Sequence, residues 1–353
     1  MTSYRVGIIG CGRRPEILPD GRRRGFGIAE SHAQGYEAHP LTAIVAAADI
    51  QQTNLDDFCQ RHHVPGRYTD YREMLDKERL DIVSVCTWVG MHPEAMIAAA
   101  DARPQGILCE KPMALTLPQA DAMIAAADRN NVRFAINHQR RLGIVFGKAK
   151  EYLTQGAIGD LQRLEGYVPR GNLLDWGTHW IDMFFFYMDQ TPASWVMAMG
   201  DRRTDRSLFG VDVEDHSITH IAYQQGVRGY IEIGVPIAGQ PANRLLGTDG
   251  MIEVGVTDGP QLRIRMRGEG QWTVPEIPGG IHGVDHFKES VSELVAAIEE
   301  GREARHSGRN GRQALEVILA GYESMGRRGR VDLPLMITDD PIARLIALWK
   351  QQS

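Results

Sequence analysis

The chain reads as an α/β protein in two parts. Residues 1–137 predict a doubly wound parallel sheet, and residues 138–353 predict an α/β domain built on a large, mostly antiparallel sheet with one open face. Three observations carry this. Before about residue 137, short and continuously apolar runs alternate with helical stretches, the signature of βαβ units whose sheet is buried on both faces. After about residue 140, apolar and polar residues alternate along strands separated by turns such as Gln225-Gly226 and Asp249-Gly250, the signature of an antiparallel sheet with one face on a core. Finally, Gly10-Cys11-Gly12 follows the first apolar run directly, as in a strand–glycine turn–helix unit.

The elements follow in order. Strands are expected at 4–9, 41–49, 82–86, 106–109 and 132–137, with helices at 27–36, 52–62, 92–102 and 117–130 between them. In the second part a helix at 145–155 stops at Gly156, a natural helix terminator. A strand at 161–168 and an aromatic-rich helix at 175–188 come next. Strands at 194–199, 216–224, 227–235, 251–256 and 261–267 build the sheet. Helices at 284–300, 309–326 and 341–351 complete the chain.

Composition narrows the function classes. The 353 residues are 43% hydrophobic and 24% charged, an ordinary globular balance. No apolar run approaches the ~18 residues of a membrane span. The start, MTSYRVGIIGCG, lacks a basic segment, an apolar core and a cleavage site, so a secretory leader is not expected and a cytoplasmic location is. A net charge of −6 argues against generic nucleic-acid affinity. Cys11, Cys59, Cys86 and Cys109 form no metal-like pair and read as buried thiols of a reducing compartment. His282-x-x-Asp285-His286 has zinc-like spacing but precedes an ordinary amphipathic helix, so no metal site is expected.

The first loop has the logic of a dinucleotide site. One glycine makes the tight turn, the next lets the backbone approach a pyrophosphate, and a third small residue lets the helix pack on the strand. An acidic residue about 20 positions on takes the ribose hydroxyls. Asp49 ends the second strand, and counting back 20 residues reaches Ala29. The motif is therefore split: sixteen residues separate Gly12 from Ala29. Asp49 favours NAD over NADP, since a carboxylate repels a 2′-phosphate. The insertion carries Arg13, Arg14, Arg22, Arg23 and Arg24. It reads as a solvated surface loop, with phosphate binding by its arginines as the other option.

At 107–114 (ILCEKPMA) the chain resembles the Gfo/Idh/MocA oxidoreductases, the family of glucose–fructose oxidoreductase and inositol dehydrogenase. GIIGCG at the start, Glu110-Lys111-Pro112, GAIGDL at 156–161, Asp175-x-Gly177-x-His179-x-x-Asp182, GTDGMIEV at 247–254 and the segment 311–335 carry the resemblance, in order and over nearly the whole chain. It implies an amino-terminal Rossmann domain and hydride transfer between NAD(P) and a hydroxyl carbon of a sugar, glycoside or cyclitol. It also implies a homodimer or homotetramer formed through the open sheet. Some members instead work redox-neutrally, cleaving glycosides by transient oxidation and elimination; that is the alternative reading. Two departures bear on the substrate. Thr87-Trp88-Val89-Gly90-Met91-His92 has Trp88 where relatives carry proline, and the loop between Asp160 and Asp175 is short, which predicts an open pocket.

Cofactor contacts are expected from Gly10, Cys11, Gly12, Arg13, Ala29, Asp49, Thr87, Trp88, His92, Glu110 and Lys111. The family's catalytic set maps onto Lys111, Asp175 and His179. Alcohol oxidation needs a base for the hydroxyl proton, which His179 would supply, while Lys111 polarises the substrate oxygen; the reverse assignment stays open. Asp175 and His179 are four apart on an expected helix and so share a face. On spacing alone they read equally as a helix cap and a core histidine. Arg140, just past the last Rossmann strand, is expected to contact substrate or form a salt bridge, and Asp182 to sit behind the reacting groups. Glu110 is expected to touch cofactor or to fix the Lys111 backbone.

Overall fold

The computed structural model describes residues 3–12, 14–17, 23–208, 210–283 and 285–352. The first unit holds a six-stranded parallel sheet made of β1 (Tyr4–Ile9), β4 (Thr42–Ala48), β5 (Gly66–Tyr68), β6 (Ile82–Val85), β7 (Gly106–Cys109) and β8 (Arg133–Ile136). Its order is β5-β4-β1-β6-β7-β8. The short apolar strands are buried because helices α1 (Ile28–Ala38), α2 (Gln52–Arg61), α3 (Tyr71–Lys77), α4 (His92–Asp101) and α5 (Leu117–Arg129) cross over between them. The strand order reverses between β1 and β6. A ligand crevice therefore belongs outside their carboxyl ends.

Two pieces of this unit are absent from the sequence expectation. β5 and α3 are short and polar, too brief for periodicity to register. The insertion holds a two-stranded ribbon, β2 (Arg14–Ile17) paired antiparallel with β3 (Arg23–Phe26), where a loop was expected. Arg13 and residues 18–22 lie outside the described residues.

In the second unit, α6 (Ile144–Thr154) leads to β9 (Leu161–Val168), a single π-helical turn at Leu173–Gly177, and α7 (Thr178–Tyr187). The sheet adds β10 (Ala193–Asp201), β13 (His216–Tyr223), β14 (Arg228–Ile233), β15 (Pro241–Gly247), β16 (Gly250–Val256) and β17 (Leu262–Met266). A small ribbon, β11 (Ser207–Leu208) and β12 (Val211–Asp212), lies beside it in sequence. The strand β15 was not expected. It opens on Pro241, which needs no ladder donor there, and it completes the sheet between β9 and β16. Among the described residues of this sheet, the β9–β14 pair is parallel and the other pairs are antiparallel. Phe184 of α7 rests against Gly166 of β9 and Gly229 of β14 on one face. The opposite face carries charge: Arg244 joins Glu165 at 3.0 Å and Glu253 at 2.7 Å.

One boundary differs from expectation. Residues 283–309, expected in the second part, group with the first unit. The reason is packing. On α8 (Asp285–Glu300), Val291, Leu294, Val295 and Ala297 share a buried core with Val6, Ile8, Ala33 and Tyr36. An amphipathic pattern shows that a helix buries one face but not against what. The second unit then takes most of α9 (Gly308–Arg327), the edge strand β18 (Val331–Asp332) and α10 (Pro341–Gln352).

The helix expected at 175–188 is also corrected. Asp175 lies in the π turn, so the α-helical four-residue spacing to His179 does not describe the pair. Three successive N–H groups of this turn are each met by a buried or capping side chain. Leu173 N–H donates to Glu214 Oε1 at 2.5 Å, Leu174 N–H to Tyr322 Oη at 3.3 Å, and Asp175 N–H to Asn172 Oδ1 at 2.8 Å. The cap is therefore Asn172 and not Asp175. Tyr322 in turn donates to Glu214 Oε2 at 2.6 Å. Gly171, at φ 144°, lets the chain pass the Trp176 indole, which a Cβ there would meet at 2.7 Å. Tyr322→Phe removes one acceptor and one donor from this buried knot. It should cost about 1–3 kcal/mol, the usual penalty for stranded buried polar groups, read as a lower urea midpoint with an unchanged slope.

Candidate active site

The site-forming loops leave the carboxyl ends of the first unit's parallel strands. Gly10 follows β1 with φ 89°, and a Cβ there would lie 3.0 Å from the Cys86 carbonyl and the Thr87 nitrogen. Only glycine lets these two loops approach so closely. Gly12 is exposed and Cys11 buried. At the end of β4, Asp49 is half-buried. Its Oδ2 accepts the Cys11 N–H at 2.7 Å and its Oδ1 accepts the Gln51 N–H at 2.9 Å. This fits a dinucleotide: a cradle that a Cβ would fill, an exposed glycine, and a fixed carboxylate suited to a ribose diol. Ala29 is buried on α1, as a third small fingerprint residue should be where helix meets strand. Arg13 lies outside the described residues.

After β6, the Trp88 indole is 47% exposed and covers Gly90. His92, expected at the cofactor, is buried with both ring nitrogens engaged. Nδ1 lies 2.8 Å from the Pro112 carbonyl and Nε2 3.0 Å from the Thr87 carbonyl. It braces the β6 and β7 loops against each other. Burial lowers its pKa despite the two carbonyls.

Glu110, at the end of β7, is the centre of a buried polar chain. Its Oε1 accepts from His32 Nε2 at 2.8 Å and from Asn137 Nδ2 at 2.6 Å. Its Oε2 accepts the Lys111 N–H at 3.2 Å. The chain runs outward from His32 Nδ1 to Ser84 Oγ (2.8 Å) and Tyr36 Oη (2.9 Å). On the other side, Ser290 Oγ donates to Asn137 Oδ1 at 3.0 Å and meets His306 Nε2 at 2.9 Å. Of the two expectations for Glu110, fixing the Lys111 backbone is what the hydrogen bonds display. His32, Ser290 and His306 were not singled out in the sequence. Scattered single polar residues carry no local signal.

Lys111 is carried by the first unit, and Asp175 and His179 by the second. In the second unit, His179 is buried and its ring stands edge-on to Trp176, centroids 6.1 Å apart. Asp182 accepts from Arg141 Nε at 2.7 Å, a buried ion pair at the root of α7. Arg140 is also buried, at 3% exposure. Its guanidinium lies 4.7 Å from the Trp180 ring and 5.7 Å from the Trp176 ring, and Nη2 donates to His282 Nδ1 at 3.3 Å. A cavity of about 480 Å³ opens beside these aromatic rings. All four cysteines are free and buried, and burial pushes the Cys11, Cys86 and Cys109 thiols well up.

The fold and this loop chemistry define a nicotinamide-dinucleotide oxidoreductase architecture. Residues 4–138 match the model of an oxidoreductase family with an NAD-binding Rossmann fold, and residues 162–253 match the C-terminal domain of the same GFO/IDH/MocA family. The chain belongs to that NAD-binding oxidoreductase family. It is 24% identical to myo-inositol 2-dehydrogenase of Thermotoga maritima over 94% of this chain and 99% of that protein. It is 25% identical to levoglucosan dehydrogenase of Pseudarthrobacter phenanthrenivorans over 95% of this chain and 99% of that one. The structure of a levoglucosan dehydrogenase with NADH superposes with a TM-score of 0.79 at 23% identity, covering 95% of this chain and 100% of the other. An oxidoreductase of Agrobacterium radiobacter, solved with NAD+, L-tartaric acid and magnesium, gives 0.78 at 18% identity, covering 95% and 100%.

The Glu110 carboxyl sits below its ordinary value of 4.5. Burial pushes it up, but the His32 bond and charge, Lys111 and Asn137 outweigh that. A depressed carboxyl adds stability above its unfolded value and loses it as pH falls through the folded value. The wild type should therefore destabilise steeply below pH 4.5. Glu110→Gln should show a flatter acid limb in chemical denaturation as a function of pH.

Proposed function

We propose that the protein is an NAD-dependent dehydrogenase acting on a CH–OH carbon of a sugar, glycoside or cyclitol. The observation that carries this reading is the pinned Lys111 peptide: its N–H is held by Glu110 at the carboxyl end of β7. That position belongs to the same loop edge as Gly10 and Asp49, where ligands of doubly wound sheets bind. The sugar and cyclitol dehydrogenases among the relatives support the substrate class.

Gly10, Gly12, Asp49, Thr87 and Trp88 would hold the dinucleotide, with Cys11, Ala29, His92 and Glu110 shaping the loops beneath it. NAD, when bound there, would supply the hydride acceptor for oxidation of the carbinol carbon. The remaining work belongs to side chains. We assign His179 the role of base for the hydroxyl proton and Lys111 that of the donor that stabilises alkoxide character. Asp175 sets the basicity of His179, and Arg140 contacts substrate. His179 is buried with its ring against Trp176, which supports a shielded base. Among the described residues, no helix is long and apolar enough to cross a membrane. We place the enzyme in the cytoplasm as a homo-oligomer joined through the open sheet face, where Met197 and Met199 are 51% and 66% exposed.

His179→Ala and Lys111→Ala should each lower kcat by roughly 10²–10⁴, the usual worth of a positioned acid or base. NAD affinity should change little in His179→Ala. The check is steady-state NADH formation together with NAD titration of each variant. A fully active His179→Ala enzyme would remove this residue from the chemistry. Glycoside cleavage without net NADH would select redox-neutral elimination instead.

A further inference from the structure

We infer that the second unit recognises a carboxylate on its substrate through Arg140, so that the substrate is a sugar acid and not a neutral sugar. This rests on the dehydrogenase reading above and names its substrate class.

Arg140 is 3% exposed. Its Nε and Nη1 are buried and have no hydrogen-bond partner among the described residues. Arginine has only donors, so Nη2 donates to His282 Nδ1, and that fixes the neutral His282 ring with its proton on Nε2. The Nε and Nη1 N–H groups have no acceptor among the described residues. Burying a guanidinium so is costly unless an anion completes it. The neighbouring carboxylate of Asp182 is already engaged by Arg141 Nε at 2.7 Å. The two tryptophans support the cation through their ring faces but accept no hydrogen bond. Burial accordingly pulls the Arg140 pKa down to about 9, with Asp182 and Asp175 only partly opposing it.

The cavity is where the missing acceptor would enter. Its lining includes Trp176, Trp180 and His282, the three side chains that surround the guanidinium, and also Arg170. Its volume, about 480 Å³, lies within the range of small-ligand pockets. A planar guanidinium with adjacent free N–H groups matches a carboxylate, which makes short charge-assisted bonds to such a fork. A phosphate ester is the other anion of this kind. One buried guanidinium with Asp175 and Asp182 nearby suits a single negative charge better than a doubly charged group.

The test compares NADH formation with D-glucuronate and D-gluconate, with D-glucose and myo-inositol, and with glucose 6-phosphate. The expected result is a higher kcat/KM for the sugar acids. In Arg140→Met the acid-to-neutral ratio should fall roughly 10- to 100-fold, the worth of a hydrogen bond to a charged group. Arg140→Lys, which keeps the charge but loses the fork, should also lower the ratio. Equal use of acids and neutral sugars, or an unchanged ratio in both variants, overturns the inference and leaves the dehydrogenase reading standing. A preference for glucose 6-phosphate overturns the carboxylate assignment. If no compound yields NADH, the dehydrogenase reading fails. Arg140 is then judged by D-glucuronate quenching of tryptophan fluorescence in the wild type, which either saturates and is lost in Arg140→Met, or does not occur and refutes the site.

Discussion

The constraint on which the first unit's site depends is the buried carboxylate of Glu110. A carboxylate in an apolar interior is tenable only when its lone pairs are met. Here His32, Asn137 and the Lys111 N–H meet them. Each partner comes from a different element: α1, the end of β8, and the loop after β7. Through Ser84 and Ser290 the same chain reaches β6 and α8. Hydrogen bonds in a low-dielectric interior are strong when complete and costly when broken. The network therefore holds one arrangement of the strand ends. This also explains why α8 belongs with the first unit: it brings Ser290, and the turn after it brings His306, whose carbonyl accepts the Ile136 N–H at 2.8 Å.

The second unit solves a different problem in the same currency. A π turn widens the chain between β9 and α7, and its leading N–H groups have no partner in the preceding turn. Glu214, Tyr322 and Asn172 supply the acceptors. The turn that carries Asp175 and Trp176 is thus fixed by its own cap, Asn172, and by Glu214 and Tyr322, which are distant in sequence. Arg141 and Asp182 anchor the helix that follows. Nearby in the same unit, Arg140 Nε and Nη1 are buried with no partner among the described residues. With an open cavity lined by Trp176, Trp180 and His282 beside them, those unmet donors point to a ligand.

Much of the fold was legible in the sequence, for physical reasons. Buried parallel strands such as Ile82–Val85 are short and wholly apolar, and their flanking helices are periodic, so both periods register. Gly10 and Asp49 were legible because each sits at a fixed offset in a turn whose geometry demands it. What escaped depended on tertiary context. The strand Pro241–Gly247 opens on proline and carries the polar pair Asn243-Arg244, so its pairing between two neighbours had no local mark. The π turn defeated the four-residue spacing from Asp175 to His179. His32 and Glu214 lie far in sequence from what they hold, and no spacing announces them. Arg140 was visible as a candidate, but its contacts with the Trp176 and Trp180 rings and its His282 partner were not.

The most direct test of the Glu110-centred account is pre-steady-state NADH formation by Glu110→Gln, with the NAD dissociation constant measured on the same enzyme. If Glu110 acts by holding the Lys111 peptide, the rate of NADH formation falls at least tenfold while NAD affinity stays within about threefold, since one misaligned polar contact at a reacting centre is worth a kcal/mol or more in rate. An unchanged rate with sharply weakened NAD binding would contradict it, making Glu110 a cofactor contact and leaving Lys111 positioned by something else.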